Sequence, residues 1–130
     1  MYKDFERRGI TITHTALKNN VAISHADGII FMDATKVKTS AEECTVLAHE
    51  DGHFISGAFY CPYSPYIVKE QSEYKATKAA VLKYIPLQEL KACFSCGLCT
   101  LPELAEYFGV TEKFVLTAYY FYKEIMGVCF

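Results

Sequence analysis

The chain of 130 residues is the length of one domain, and its 52% hydrophobic content is ample for a core. Its 13 basic and 15 acidic residues are spread along the sequence and leave a net charge of −2, so nothing points to the electrostatic footprint of a nucleic-acid binder. No apolar run reaches bilayer-spanning length. The charged start Met1-Tyr2-Lys3-Asp4-Phe5-Glu6-Arg7-Arg8 has no apolar segment behind it, so a cytoplasmic chain is expected, with its six cysteines reduced.

In chain order, a short helix is predicted around Asp4 to Arg8 and an extended piece near Ile10 to Thr13. Val21 to His25 and Ile29 to Asp33 are β-rich and flank Asp27-Gly28, a pair suited to a type I′ hairpin turn. His14 and His25 in this region have no ligand spacing to another candidate and read as structural or surface residues. Ala41 to Ser56 reads as a helix with Cys44, Leu47, Ala48 and Ile55 on its apolar stripe and Gly57 as its stop. Thr39 with Glu42, or Ser40 with Glu43, fits a capping box at its start.

The turn-rich Cys61-Pro62-Tyr63-Ser64-Pro65 separates this helix from a second one, Ile67 to Tyr84. Ala76, Ala79 and Ala80 form a small-residue stripe that allows the two helices to approach closely. Cys93-Phe94-Ser95-Cys96-Gly97-Leu98-Cys99 contains two overlapping C-x-x-C units but no clear fourth ligand. It reads as a helix end and a Gly97 turn with thiols as apolar filler, and Cys44, Cys61 and Cys129 take the same reading. Two last helices open at Thr100, with Pro102 and Glu103, and at Thr111 after Gly109. They mimic a helix-turn-helix. The second of them carries Phe114, Val115, Leu116, Tyr119, Tyr120, Phe121 and Tyr122, with only Lys113 and Lys123 basic, and most of it is expected in the core rather than against DNA bases.

His49-Glu50-Asp51-Gly52-His53 carries the chemistry. Residues four apart lie on one helix face, so the His49 and His53 imidazoles can converge on one zinc ion. Glu50 stands beside them as a general base that takes a proton from the attacking water and passes it to the leaving amine. A third protein ligand is required. Glu73 on the following helix is a candidate, and Glu70, one turn earlier, is a rival that spacing alone does not reject.

Ala48-His49-Glu50-Asp51-Gly52-His53, followed by Glu73-Tyr74-Lys75-Ala76-Thr77-Lys78-Ala79-Ala80 and Ile85-Pro86, resembles the ImmA/IrrE family of zinc metallopeptidases. The likeness extends upstream through Gly28-Ile29-Ile30-Phe31-Met32-Asp33 and downstream through Leu104-Ala105-Glu106-Tyr107-Phe108-Gly109-Val110. It implies Glu73 rather than Glu70 as third ligand, and a hairpin strand that holds an extended substrate by its edge. Asp51 and Ala79 depart from it, at positions where that family usually has an apolar and often an aromatic residue respectively. The expected fold is therefore α+β, a zincin-like minimal metallopeptidase spanning residues 1–130, with a small hairpin or sheet on about four to five helices. The resemblance implies a cytoplasmic protein substrate such as the helix-turn-helix repressor of a mobile element or prophage. The opposing expectations are a zinc-containing anti-repressor that grips without cutting, and a helix-turn-helix regulator associated with DNA. Tyr60, Tyr63, Tyr66 and Tyr74 are candidates to polarise a substrate carbonyl, and no spacing rule separates them.

Overall fold

A computed structural model describes residues 1–130. Six helices and one small three-stranded sheet make an α+β arrangement. The order is α1 (Tyr2–Arg7), β1 (Thr11–His14), β2 (Ala22–His25), β3 (Ile29–Met32), α2 (Ser40–Ser56), α3 (Tyr66–Tyr84), α4 (Leu87–Ser95), α5 (Leu101–Phe108) and α6 (Glu112–Tyr120). A 3₁₀ turn at Ala34–Lys36 precedes α2, and a π-helical turn at Phe121–Ile125 follows α6. No helix is long and apolar enough to cross a membrane.

The expected hairpin forms from β2 and β3, and the extended piece near Ile10 to Thr13 joins it as β1 to give a sheet of three strands. Its order is β1-β3-β2, with β1 parallel and β2 antiparallel to β3. The β2–β3 turn differs from expectation. No non-glycine residue has positive φ, so Asp27 does not adopt the first position of a type I′ turn. The loop is three residues long, closed by Gly28 N donating to His25 O at 3.0 Å, with Gly28 alone left-handed at φ 91°. This is a type I turn followed by a bulge glycine.

Helix α2 is the spine of the molecule. Thr39 caps it, its hydroxyl accepting from Glu42 N at 3.1 Å, while the Glu42 carboxylate reaches back to Lys38 N at 2.8 Å. Of the two capping boxes legible in the sequence, the first is used, and Gly57 ends the helix in the left-handed conformation. Adjacent residues serve two cores. Leu47 packs with Phe5, Ile10, Ile30 and Met32 beneath the sheet, and Ala48 joins the cluster of α3 to α6 that contains Ala80, Val81, Leu90, Leu104, Val115 and Tyr122. Ile55, expected on the apolar stripe, is exposed, because the last turn of α2 runs past both cores.

The close approach of α2 and α3 rests on Gly52 and Ala76. A Cβ built on Gly52 would lie 2.0 Å from the Ala76 carbonyl oxygen, so no side chain larger than hydrogen fits there at this helix spacing. Ala76 and Ala80 of the small-residue stripe are fully buried, whereas Ala79 is half-buried. Behind α2 lies an ionic cluster. Asp51 is completely buried and accepts from Arg8 at 2.6 Å, Lys83 at 2.8 Å and the Tyr84 hydroxyl at 2.5 Å. Asp4 is held by the same Arg8 and Lys83, at 2.7 and 2.8 Å. An acid at position 51 thus joins α1, α2 and α3, and burial, which raises its pKa, is outweighed by Arg8, Lys83 and Tyr84.

The C-terminal helices pack as expected at Phe114, Val115, Phe121 and Tyr122, all buried, while Leu116 and Tyr120 are exposed. The filler reading of the cysteines holds for Cys93, which is buried, and in part for Cys44. Cys61, Cys96, Cys99 and Cys129 are exposed, so it fails for them: they lie in loops or at a chain end rather than on a packed face. All six are free thiols.

Candidate metal centre

One turn of α2 presents His49 and His53, and α3 presents Glu73 opposite them. Their ligand atoms all lie within 4.8 Å of one another, forming a group that can hold a metal ion. Both rings direct Nε2 at the same carboxylate oxygen, Glu73 Oε2, at 2.5 Å from His49 and 3.5 Å from His53. Glu70 is exposed and lines a surface depression with Tyr74 and Lys78, apart from the histidines. The structure thus brings together the two histidines and Glu73, and excludes the rival.

The surrounding groups orient these donors. His53 Nδ1 donates to the Ala58 carbonyl at 2.7 Å, so in the neutral ring the lone pair lies on Nε2, the atom a metal would take in place of the contact with Glu73. Ser72 donates to the same carbonyl at 2.9 Å, pinning the loop after α2 to α3. Thr77 lies 3.5 Å from His49 Nδ1. On the far side of the carboxylate, the Tyr60 hydroxyl donates to Glu73 Oε1 at 2.6 Å, so one oxygen is committed to Tyr60 and the other faces the histidines. Tyr60 is the one of the four candidate tyrosines that contacts the group. Tyr63 and Tyr66 project into solvent, and no sequence spacing distinguishes Tyr60 from them.

The electrostatics follow from this geometry. Hydrogen bonds from His49 and then His53 hold Glu73 well below the usual carboxylate range. Burial pushes His53 down, but its bonds to Glu73 and the Ala58 carbonyl outweigh this and leave it above its ordinary value. The contact with Glu73 raises the Tyr60 hydroxyl to about 12. Glu50 is only 7% exposed, and burial pushes its carboxyl above the ordinary value, partly offset by His49 and the Ser24 hydroxyl. A carboxylate shifted upward in this way is a stronger base than an ordinary one.

The group lies in a cleft with two halves. One, of about 450 Å³, is lined by Asn19, Ser24, Phe59, Tyr60 and Lys69, and the other, of about 540 Å³, by Val46, Thr77, Thr111, Lys113 and Phe114. Asn20, Ala22, Glu50 and Glu73 line both, so the two meet over the carboxylates. Strand β2 forms one wall, and it is an edge strand. Val21 O accepts from Asp33 N toward β3, so by antiparallel alternation the backbone N–H and C=O groups of Ala22 and Ser24 face the open side. The preceding loop is clamped in place. Lys36 Nζ donates to Leu17 O at 2.5 Å and Asn20 O at 3.2 Å, while buried Asp33 accepts from Leu17 N at 3.0 Å.

Cys93, Cys96 and Cys99 do not gather with one another or with other ligand-type residues. His14 and His25 are exposed on the sheet. Comparison of the chain with protein-family models, with curated proteins and with solved structures finds no match to any of them.

Proposed function

We propose that this chain is a zinc-dependent metallo-endopeptidase of zincin-like build. More particularly, we read it as a peptidase of the ImmA/IrrE type acting on a cytoplasmic protein such as a helix-turn-helix repressor. The observation that carries the reading is the convergence of His49, His53 and Glu73 beside buried Glu50 in a cleft walled by an open strand edge. Two imidazoles and a carboxylate with oriented Nε2 donors match the composition of a catalytic zinc site, in which three protein ligands leave room for water or substrate. The metal would supply Lewis acidity that polarises a peptide carbonyl and makes water a better nucleophile.

The chain's own residues divide the remaining work. An extended substrate pairs with the outward N–H and C=O groups of Ala22 and Ser24, which fixes its backbone across the cleft. Glu50 accepts the proton of the attacking water on its carboxylate and delivers it to the nitrogen of the departing amine. Tyr60, with a hydroxyl that stays protonated, holds Glu73 in its orientation at the cleft wall.

The test compares zinc-loaded wild type and Glu50→Gln on a quenched-fluorescent peptide library, with bound metal measured in both. Equal metal content with a fall of about 10²–10⁴-fold in cleavage is expected. Equal cleavage by the two proteins, or none by the loaded wild type, refutes the peptidase. The second outcome favours a gripping module, for which exposed Tyr63, Tyr66 and Ile67 beside the cleft supply apolar surface.

A further inference from the structure

Two lysines face the cleft without a carboxylate partner, and they stand on opposite sides of the metal-ligand group. Lys69 of α3 lines the half that contains Tyr60, and Lys113 of α6 lines the half that contains Thr77 and Thr111. Lys69 donates to the Pro62 carbonyl at 3.0 Å, a bond that satisfies one ammonium proton and leaves the charge uncompensated. Lys83 and Lys36, by contrast, lie against aspartates. Apart from Glu50 and Glu73, no acidic residue lines either half.

The chain as a whole carries a net charge of −2, so a cleft with a lysine and no carboxylate in each half outside the shared Glu50 and Glu73 runs against its background. Charges set in the walls of a concave site act at short range with little solvent between, so each lysine favours an acidic side chain that lies against its own half of the cleft. A strand added along the Ala22–Ser24 edge passes through both halves, and the bond above Glu50 and Glu73 then has a lysine to either side. We propose that the cleft selects an extended peptide bearing Asp or Glu on both sides of the cleaved bond. The position of that bond rests on the endopeptidase reading, whereas the charge preference is a property of binding alone.

The experiment therefore measures binding to metal-loaded Glu50→Gln protein by fluorescence anisotropy. The probes are labelled peptides of about ten residues, identical except for Glu, Gln or Lys on both sides of the central bond. The Glu peptide is expected to bind at least about threefold more tightly per lysine engaged and about tenfold more tightly overall than the Lys peptide, with the gap closing at high salt. Lys69→Glu and Lys113→Glu should each narrow the preference, and the double variant should reverse it. The double Lys→Gln variant, which adds no new charge, should abolish the preference without reversing it and keep the wild-type melting temperature. Equal affinity for the three peptides, no binding of the Glu peptide, or a preference unmoved in the double variants overturns the proposal. So does tighter binding of a single-stranded oligonucleotide, which would make the groove a phosphate site. Selective binding of the Glu peptide without cleavage by the loaded wild type would uphold the charge preference and refute the peptidase.

Discussion

Replacing Gly52 with alanine tests the contact that brings the metal ligands of two helices together. The new Cβ would sit 2.0 Å from the Ala76 carbonyl oxygen, against a floor of 3.0 Å for real Cβ contacts, so α2 and α3 must part by at least about 1 Å. The obstacle is backbone, which has no rotamer by which to escape. Overpacking of this kind costs about 1–3 kcal/mol, equivalent to a fall of about 4–12 °C in melting temperature for a domain of this size. Glu73 lies one turn from Ala76 on the same helix and moves with it, whereas metal sites hold their ligand distances within about 0.2 Å. Zinc affinity, read by competition with a chromophoric chelator, should therefore fall by about 10–100-fold. Gly57→Ala is the control. Its left-handed backbone strains an alanine, but nothing lies within 4 Å of the new Cβ, so it should lose stability and keep zinc affinity. A Gly52→Ala protein with wild-type melting and wild-type zinc affinity would refute the argument that this single contact sets the helix spacing.

Glu73→Gln should lose most of its bound zinc while Glu70→Gln retains it, as measured by metal analysis after gel filtration. Equal loss from both would undo the ligand assignment. Asp51→Asn should cost about 2–4 kcal/mol by urea unfolding, toward the low end for a broken buried pair because Arg8 and Lys83 reach solvent. A cost below about 0.5 kcal/mol would show that the cluster contributes nothing beyond its hydrogen-bonded shape. In a triple serine variant of Cys93, Cys96 and Cys99, the metal content should be the same as in wild type, and a drop by one equivalent would reveal a thiolate site.

Local signals in the sequence located α2 and α3 because each of them acts within a turn or two: the Thr39 cap, the Gly57 stop, the i,i+4 histidines and, on α3, the Ala76 stripe. Pairings across the fold were not legible in the same way. Gly52 reads as one permissive position inside a motif until its neighbour across the interface is known to be the Ala76 carbonyl. Asp51 reads as a lone charge inside the motif until its partners, Arg8 and Lys83, are known to come from helices on either side of it in the chain. Parallel pairing of β1 with β3 joins strands that are not consecutive, and alternation within a strand says nothing about which neighbour it takes. Tyr60 is one of several tyrosines near the α2–α3 turn, and only the path of that loop brings its hydroxyl to Glu73.

The Asp4, Arg8, Asp51 and Lys83 cluster also carries an expectation about the order of folding. Helices α2 and α3 are consecutive, so their docking closes a short loop and the ligand residues can meet early. The Lys83–Asp4 contact spans 79 positions and the Arg8–Asp51 contact spans 43, which makes both expensive in loop entropy and late to form. Contacts absent from the transition state govern how fast a protein comes apart rather than how fast it assembles. The N-terminal helix is thus expected to act as a latch on α2 once it has docked, so that Arg8→Ala should speed unfolding more than it slows folding in stopped-flow measurements.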